Sequence, residues 1–245
     1  MIVPEHWLRS FCNPPLPTAK LAHLLTMSGL EVEAVTPAAP PFSGVVVGEI
    51  VAVERHPNAD KLTVCTVNAG REKLQVVCGA PNARAGLKAP LALVGTELAG
   101  LQIKAAVVRG VESRGMLCSA KELGLSEDHS GLLELPAGAK AGQDLRKALD
   151  LDEPVLTFKL TPNRADCLSI LGIAREVSAL TGAKLKAPAV KAVPARNKAR
   201  HPFRITHAEG CGRFAGRVIR NVNAAAPTPA WMRQRLERAG QRSIS

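Results

Sequence analysis

The stretch Gly44–Ala69, GVVVGEIVAVERHPNADKLTVCTVNA, sets two β-rich runs on either side of a turn-forming HPNAD. VVVGEIVAV from Val45 and LTVCTVNA from Leu62 are dense in β-branched residues, which fit a pleated and partly buried surface. The same texture returns in LQVVCGA from Leu74, APLALVG from Ala89 and IKAAVVRG from Ile103, punctuated by glycines at 70, 79, 86, 95, 100 and 110. Five short strands in about 65 residues predict a small closed barrel rather than a layered α/β unit. Beyond them, MLCSAKELGL from Met116 reads as a short helix and GLLELP from Gly131 as a returning strand.

The flanks have a different pattern. Thr18 is placed to cap a helix with Leu21, Leu24 and Leu25 on its apolar stripe and Gly29 as its stop, and Leu30–Thr36 then alternates as a half-buried strand. PAAPP, ending at Pro41, breaks both periods. VLTFKL at 155–160 is a further strand. TPNRAD then turns the chain, with Asp166 as the expected N-cap of a helix carrying Ile170, Ile173, Ala174, Val177 and Leu180 and stopped by Gly182. From Lys186 a Pro-, Ala- and Lys/Arg-rich segment reads as a linker. FRITH and RFAGRVIRNV read as two strands, and Thr228 with Pro229 as the start of a last helix turning Met232, Leu236 and Ala239 inward.

The 245 residues are 46% hydrophobic and 22% charged, a globular composition with no run of about 18 apolar residues that would span a membrane. The first fifteen residues lack the pattern of a secretory signal, so a cytoplasmic protein is expected. Six cysteines without a CxxC pair and six scattered histidines predict reduced thiols and no metal site. The formal net charge of +11 is uneven: residues 191–245 hold 12 Lys/Arg against 2 Asp/Glu, so nearly all of it lies in the last segment. A field of that sign attracts polyanions such as RNA; the plain alternative is a solvated basic linker.

HPNADKL (His56–Leu62), VCGAPN (Val77–Asn82) and RGVESRGMLCSAKELGL (Arg109–Leu125) together resemble the tRNA-binding OB-fold of the endothelial-monocyte-activating-polypeptide type. TPNRADCLSILGIAREVSALTG (Thr161–Gly182), with WLRSF and LTMSGLEVE near the start, resembles the bacterial phenylalanyl-tRNA synthetase β subunit. The resemblance implies an α+β, multidomain fold: residues 1–40 with 151–190 as one discontinuous α+β domain, 41–150 as an inserted OB-fold barrel, and 191–245 as a linker and the truncated start of an editing-type domain. It implies an aminoacyl-tRNA ligase assembled with an α subunit as α2β2, acting on tRNA(Phe) with ATP and Mg2+, and no partnership with membrane or DNA. This stretch would bind and scaffold, with no catalytic residue and no cofactor of its own. The alternative is a free-standing OB-fold tRNA-binding module.

Candidate tRNA contacts follow from position. Lys61 can meet a phosphate, while His56 and Asn58 can bond ribose or base; the alternative is that Pro57, Asn58 and Asp60 merely shape the turn through Asx hydrogen bonds. Arg109 and Arg114 flank the end of the fifth expected strand, where they can track an RNA backbone or stand in solvent. Arg164 and Asp166 invite a catalytic reading, but a capped helix start explains both without chemistry. Between Ser43 and Asp150 there is no Phe, Tyr or Trp, so the barrel lacks the stacking platform on which many OB-folds hold bases.

Overall fold

A computed structural model describes residues 1–98 and 100–244. In chain order the elements are β1 (Ile2–Pro4), α1 (Glu5–Phe11), α2 (Thr18–Met27) and β2 (Glu31–Pro37). There follow β3 (Val45–Arg55), β4 (Thr63–Asn68), β5 (Lys73–Cys78), β6 (Lys88–Ala92), β7 (Glu97–Leu98), β8 (Leu101–Gln102), β9 (Ala106–Val108), β10 (Val111–Ser113) and β11 (Met116–Leu117). Last come α3 (Leu145–Leu149), β12 (Pro154–Lys159), α4 (Ile170–Thr181) and α5 (Ala230–Arg238). The fold mixes α and β structure, and no helix among the described residues is long and apolar enough to cross a membrane.

β12 is the middle strand of an antiparallel sheet in the order β1-β12-β2, with Ile2 opposite Thr157 and Pro37 opposite Pro154. Helices α1, α2 and α4 cover it, and Leu8, Leu21, Leu25, Leu30, Leu156, Phe158, Ile173 and Val177 form one buried cluster. The chain leaves this sheet after β2 and rejoins it at β12, directly alongside. α2 begins at Thr18 as expected, but Thr18 makes no capping bond and Pro17 occupies the cap position. Asp166 is not the N-cap of α4: Ser169 is, its Oγ accepting from the Gly172 N–H at 2.9 Å. Asp166 lies in a 3-10 turn over Pro162–Cys167, where Arg164 holds it.

The intervening residues build a nearly closed barrel on a sheet ordered β11-β6-β3-β4-β5. β3 serves two neighbours, pairing with β6 along Val45–Glu49 and with β4 along Glu49–Arg55, and a register shift between Ile50 and Ala52 bends it from one to the other. A Cβ on Gly48, at this bend, would meet Val67 Cγ1 at 2.8 Å and Leu91 Cβ at 3.0 Å, so the close approach of the walls requires glycine there. The seam between β5 and the 112–114 segment is drawn together by Arg114 N–H to Gln75 O and Gln75 Nε2 to Glu112 O, both 2.8 Å. Inside lie Ile50, Cys65, Val67, Val76, Ala89 and Leu91, all fully buried.

Four of the five expected strands take their places in this sheet; the fifth does not. Its residues Ala106–Val108 pair with β10 as a hairpin, and β11 closes the order instead. The helix expected from Met116 is a strand followed by turns, because Gly124 adopts φ 66° before a helix can propagate. GLLELP is irregular: the Asn82 side chain takes both the N–H and the C=O of Leu132, the groups a neighbouring strand would need. Residues 203–222 form no strands either, and Phe203, Phe214, Ile219 and Val222 are more than half exposed, since no sheet face within the described residues opposes them. α5 forms, with Leu236 and Ala239 of its expected inward face half-buried. Met232 is exposed, and the edge carrying Gln234 and Arg238 docks, through the Leu149 carbonyl at 2.9 and 2.6 Å and an ion pair of Arg238 with buried Glu153.

Candidate nucleic-acid interface

The HPNADKL turn joins β3 to β4, and its backbone closes on itself through His56 N–H to Leu62 O at 3.2 Å. Its side chains reach across to the β9–β10 hairpin. His56, only 5% exposed, places Nε2 3.0 Å from the Val108 carbonyl and Nδ1 3.1 Å from the Asn58 N–H. A neutral ring protonated on Nε2 donates to the first and accepts from the second, which uses both nitrogens. Asn58 Nδ2 donates to the Arg109 carbonyl at 2.9 Å. His56, Asn58 and Arg109 thus form one hydrogen-bonded unit, with Lys61 exposed on the same loop.

Arg114 does not join them. It lies at the far end of β10, where Nε meets Glu112 Oε1 at 3.0 Å, so its charge is partly matched. Lys61 and the Arg109 guanidinium have no ion-pair partner among the described residues. Elsewhere on the barrel, Arg84 holds the Glu134 carboxyl below its usual range through a hydrogen bond at 2.8 Å.

Arg164 bonds Asp166 at 3.2 Å and Glu176 at 2.9 Å. The Asp166 carboxyl is held below its ordinary range chiefly by Arg164. That arrangement ties the 3-10 turn to α4. Two groups of possible metal ligands exist among the described residues, His6 with Asp150 and Glu153, and Asp166 with Cys167 and Glu176. In each an arginine, Arg238 or Arg164, already sits among the carboxylates. The role of Asn82 and Gln75 in closing the barrel was missed by sequence reading, since both partners are backbone groups roughly 40 to 50 positions away.

Known proteins match the chain along its length. The family model described as "Putative tRNA binding domain" matches residues 45–144, and the "B3/4 domain" matches residues 210–245. Phenylalanine–tRNA ligase beta subunits align along the chain: that of Bordetella bronchiseptica is 63% identical over 247 residues, covering 100% of this chain, and that of Aromatoleum aromaticum 60% over 242 residues, covering 98%. Among solved structures, a MetRS-related protein from Pyrococcus horikoshii is 23% identical with a TM-score of 0.33, covering 42% of this chain and 89% of that one. The chain spans 31% of the length of the curated relatives it matches. With identities of 57 to 63% sustained through the barrel and both of its flanks, the chain is similar along its whole length to about a third of the length of phenylalanine–tRNA ligase beta subunits.

Proposed function

We propose that this chain is the part of a phenylalanyl-tRNA synthetase β subunit that binds tRNA and scaffolds the assembly, and that it does so without a catalytic site of its own. The complete subunit pairs with an α subunit as α2β2 in the cytoplasm and attaches phenylalanine to tRNA(Phe) with ATP and Mg2+. The observation that carries this reading is the identity of 57 to 63% along the whole chain, which includes the barrel flanks as well as the barrel. The two carboxylate groups do not fit a magnesium ion, because arginine occupies each of them. No step of the ligase reaction is therefore assigned to these residues.

The proposed organisation is residues 1–40 with 151–190 as one unit, 41–150 as an inserted OB-fold and 191–245 as a linker leading into an editing-type domain. It is supported by the separate apolar clusters, by the pairing of β2 with β12, and by the match at 210–245. A free-standing tRNA-binding module leaves the buried core of α1, α2, α4 and the three-stranded sheet without a purpose. Within the barrel, Lys61 and Arg109 are the proposed backbone contacts, and Arg114 contributes less because Glu112 pairs with it. A nuclease footprint of tRNA(Phe) on the assembled enzyme, with and without residues 44–150, tests the reading. Protection that depends on the barrel supports it; identical footprints refute it. The purified chain alone should show only background phenylalanine-dependent pyrophosphate exchange.

A further inference from the structure

We infer that Arg109, held in place by its surroundings, is a contact of the barrel for an RNA phosphate–ribose backbone, and that His56 and Asn58 are positioning residues that act through it rather than touching RNA. This rests on the tRNA-binding reading above. The β9–β10 hairpin turns on two residues, Arg109 at φ 48° and Gly110 at φ 90°, with Val108 opposite Val111. Left-handed values at both central positions define the type I′ turn, whose ordinary occupants are Asn-Gly, Asp-Gly or Gly-Gly. Arginine is a costly choice there, because its Cβ crowds the backbone in that conformation. Such strain persists where the surroundings over-determine it, and it concentrates at functional sites.

The surroundings here do over-determine it. Consecutive carbonyls at the turn, those of Val108 and Arg109, are each held by a side chain of the HPNAD loop, His56 Nε2 at 3.0 Å and Asn58 Nδ2 at 2.9 Å. A Cβ on Gly110 would stand 3.2 Å from Asn58 Nδ2, so the clamp also fits a glycine at the second position. His56 has both ring nitrogens engaged and is 5% exposed, so it has no polar atom left for a ligand. The guanidinium that all this anchors is exposed and has no ion-pair or hydrogen-bond partner among the described residues. A fixed backbone beneath an unpaired cation suits a contact that must be presented at a set place. With no aromatic ring between Ser43 and Asp150, the bond available to this edge is ionic, and the phosphate backbone is its natural acceptor.

The test is a double-mutant cycle in the 245-residue chain, read by salt titrations of tRNA binding, with thermal melts as a folding control. Arg109→Asn installs the Asn-Gly pair the turn prefers, so the fold should hold. Affinity should fall about fivefold at ~0.1 M salt, and the slope of log K against log salt by roughly 0.7 to 0.9. Arg109→Lys should keep the slope. Asn58→Ala should weaken binding about threefold alone and less than about 1.5-fold when added to Arg109→Asn, because its effect runs through Arg109. An equal loss from Asn58→Ala in both backgrounds overturns the proposal, for Asn58 would then meet RNA itself. Unchanged binding by Arg109→Asn also overturns it, while leaving the tRNA-binding reading intact. A wild-type chain that fails to bind tRNA even at low salt refutes that reading, and the assignment of Arg109 falls with it.

Discussion

Replacing Lys191, Arg196, Lys198 and Arg200 together with Gln should remove more tRNA affinity than any change in the barrel. Residues 191–220 hold eight Lys/Arg against a single acid, Glu209, and all eight cations are exposed. The later arginines are less available: Arg238 is bound to Glu153, and Arg235 lies over the rings of Trp7 and Trp231 at 5.3 and 5.7 Å. At about 0.7 to 0.9 of slope per phosphate neutralised, four lost contacts lower the slope of log K against log salt by roughly 3. Between about 50 and 200 mM salt, that difference corresponds to a change of roughly 60-fold in how far affinity falls. The combined Lys61→Ala and Arg109→Asn variant should lose no more than about 2 of slope. Fluorescence anisotropy of labelled tRNA across that salt range reads both variants. Keeping α5 in place matters, since deleting it would leave Glu153 without its arginine. A slope that moves by less than about 1 for the fourfold variant, or by less than for the barrel variant, refutes the assignment of non-specific affinity to the basic segment.

Arg9 closes over Glu5, whose side chain is 2% exposed, and also bonds Asn13, Pro14 and Leu16. Arg9→Ala should therefore cost about 3 to 5 kcal/mol, read by urea unfolding of the Trp fluorescence, and Glu5→Leu with Arg9→Leu should recover most of it. Because Pro37 and Pro154 are paired neighbours, replacing residues 38–153 with Asn-Gly should leave a cooperative melt of the three-stranded unit, and loss of any transition would count against its independence. The Cys118 thiol is pushed up to about 12 by burial, from an ordinary 9.0. The folded state then holds that proton more tightly than the unfolded one, so stability is full below pH ~9 and falls at up to about 1.4 kcal/mol per pH unit between pH ~9 and ~12. Melts of Cys118→Ala should show that alkaline slope flattened.

Where the information was local, the sequence was readable. The β-branched runs placed β3 to β6, and the apolar stripe with its terminal Gly182, at φ 70°, marked the end of α4. The HPNADKL motif was legible as a loop and Arg109 as the end of an expected strand, but neither the hairpin that carries Arg109 nor the clamp was, because the hydrogen bonds of His56 and Asn58 run to backbone carbonyls about 50 positions away. Asp166 and Ser169 are both good capping residues, and the choice between them was made by the pairing of Arg164 with Glu176, twelve positions on. α5 was found and its docking through Arg238 was not, since the partner of Arg238 is a glutamate 85 positions earlier. The aromatic and β-branched residues of FRITH and RFAGRVIRNV suit strands, yet a strand needs a neighbour, and composition does not supply one.

The return of the chain to β12 also sets an order of events during synthesis. β1 and β2 are made first, but the strand that lies between them is more than a hundred residues downstream. The barrel's own pairings are short-range by comparison, with β3, β4 and β5 following one another directly. At roughly 5 to 20 residues per second, α1, α2 and β2 wait on the order of 6 to 25 seconds after emergence before β12 can join them, while the barrel has all its strands before then. The older part of the nascent chain thus finishes folding after the younger part, and its apolar helices are what a ribosome-bound chaperone would find exposed in the interval.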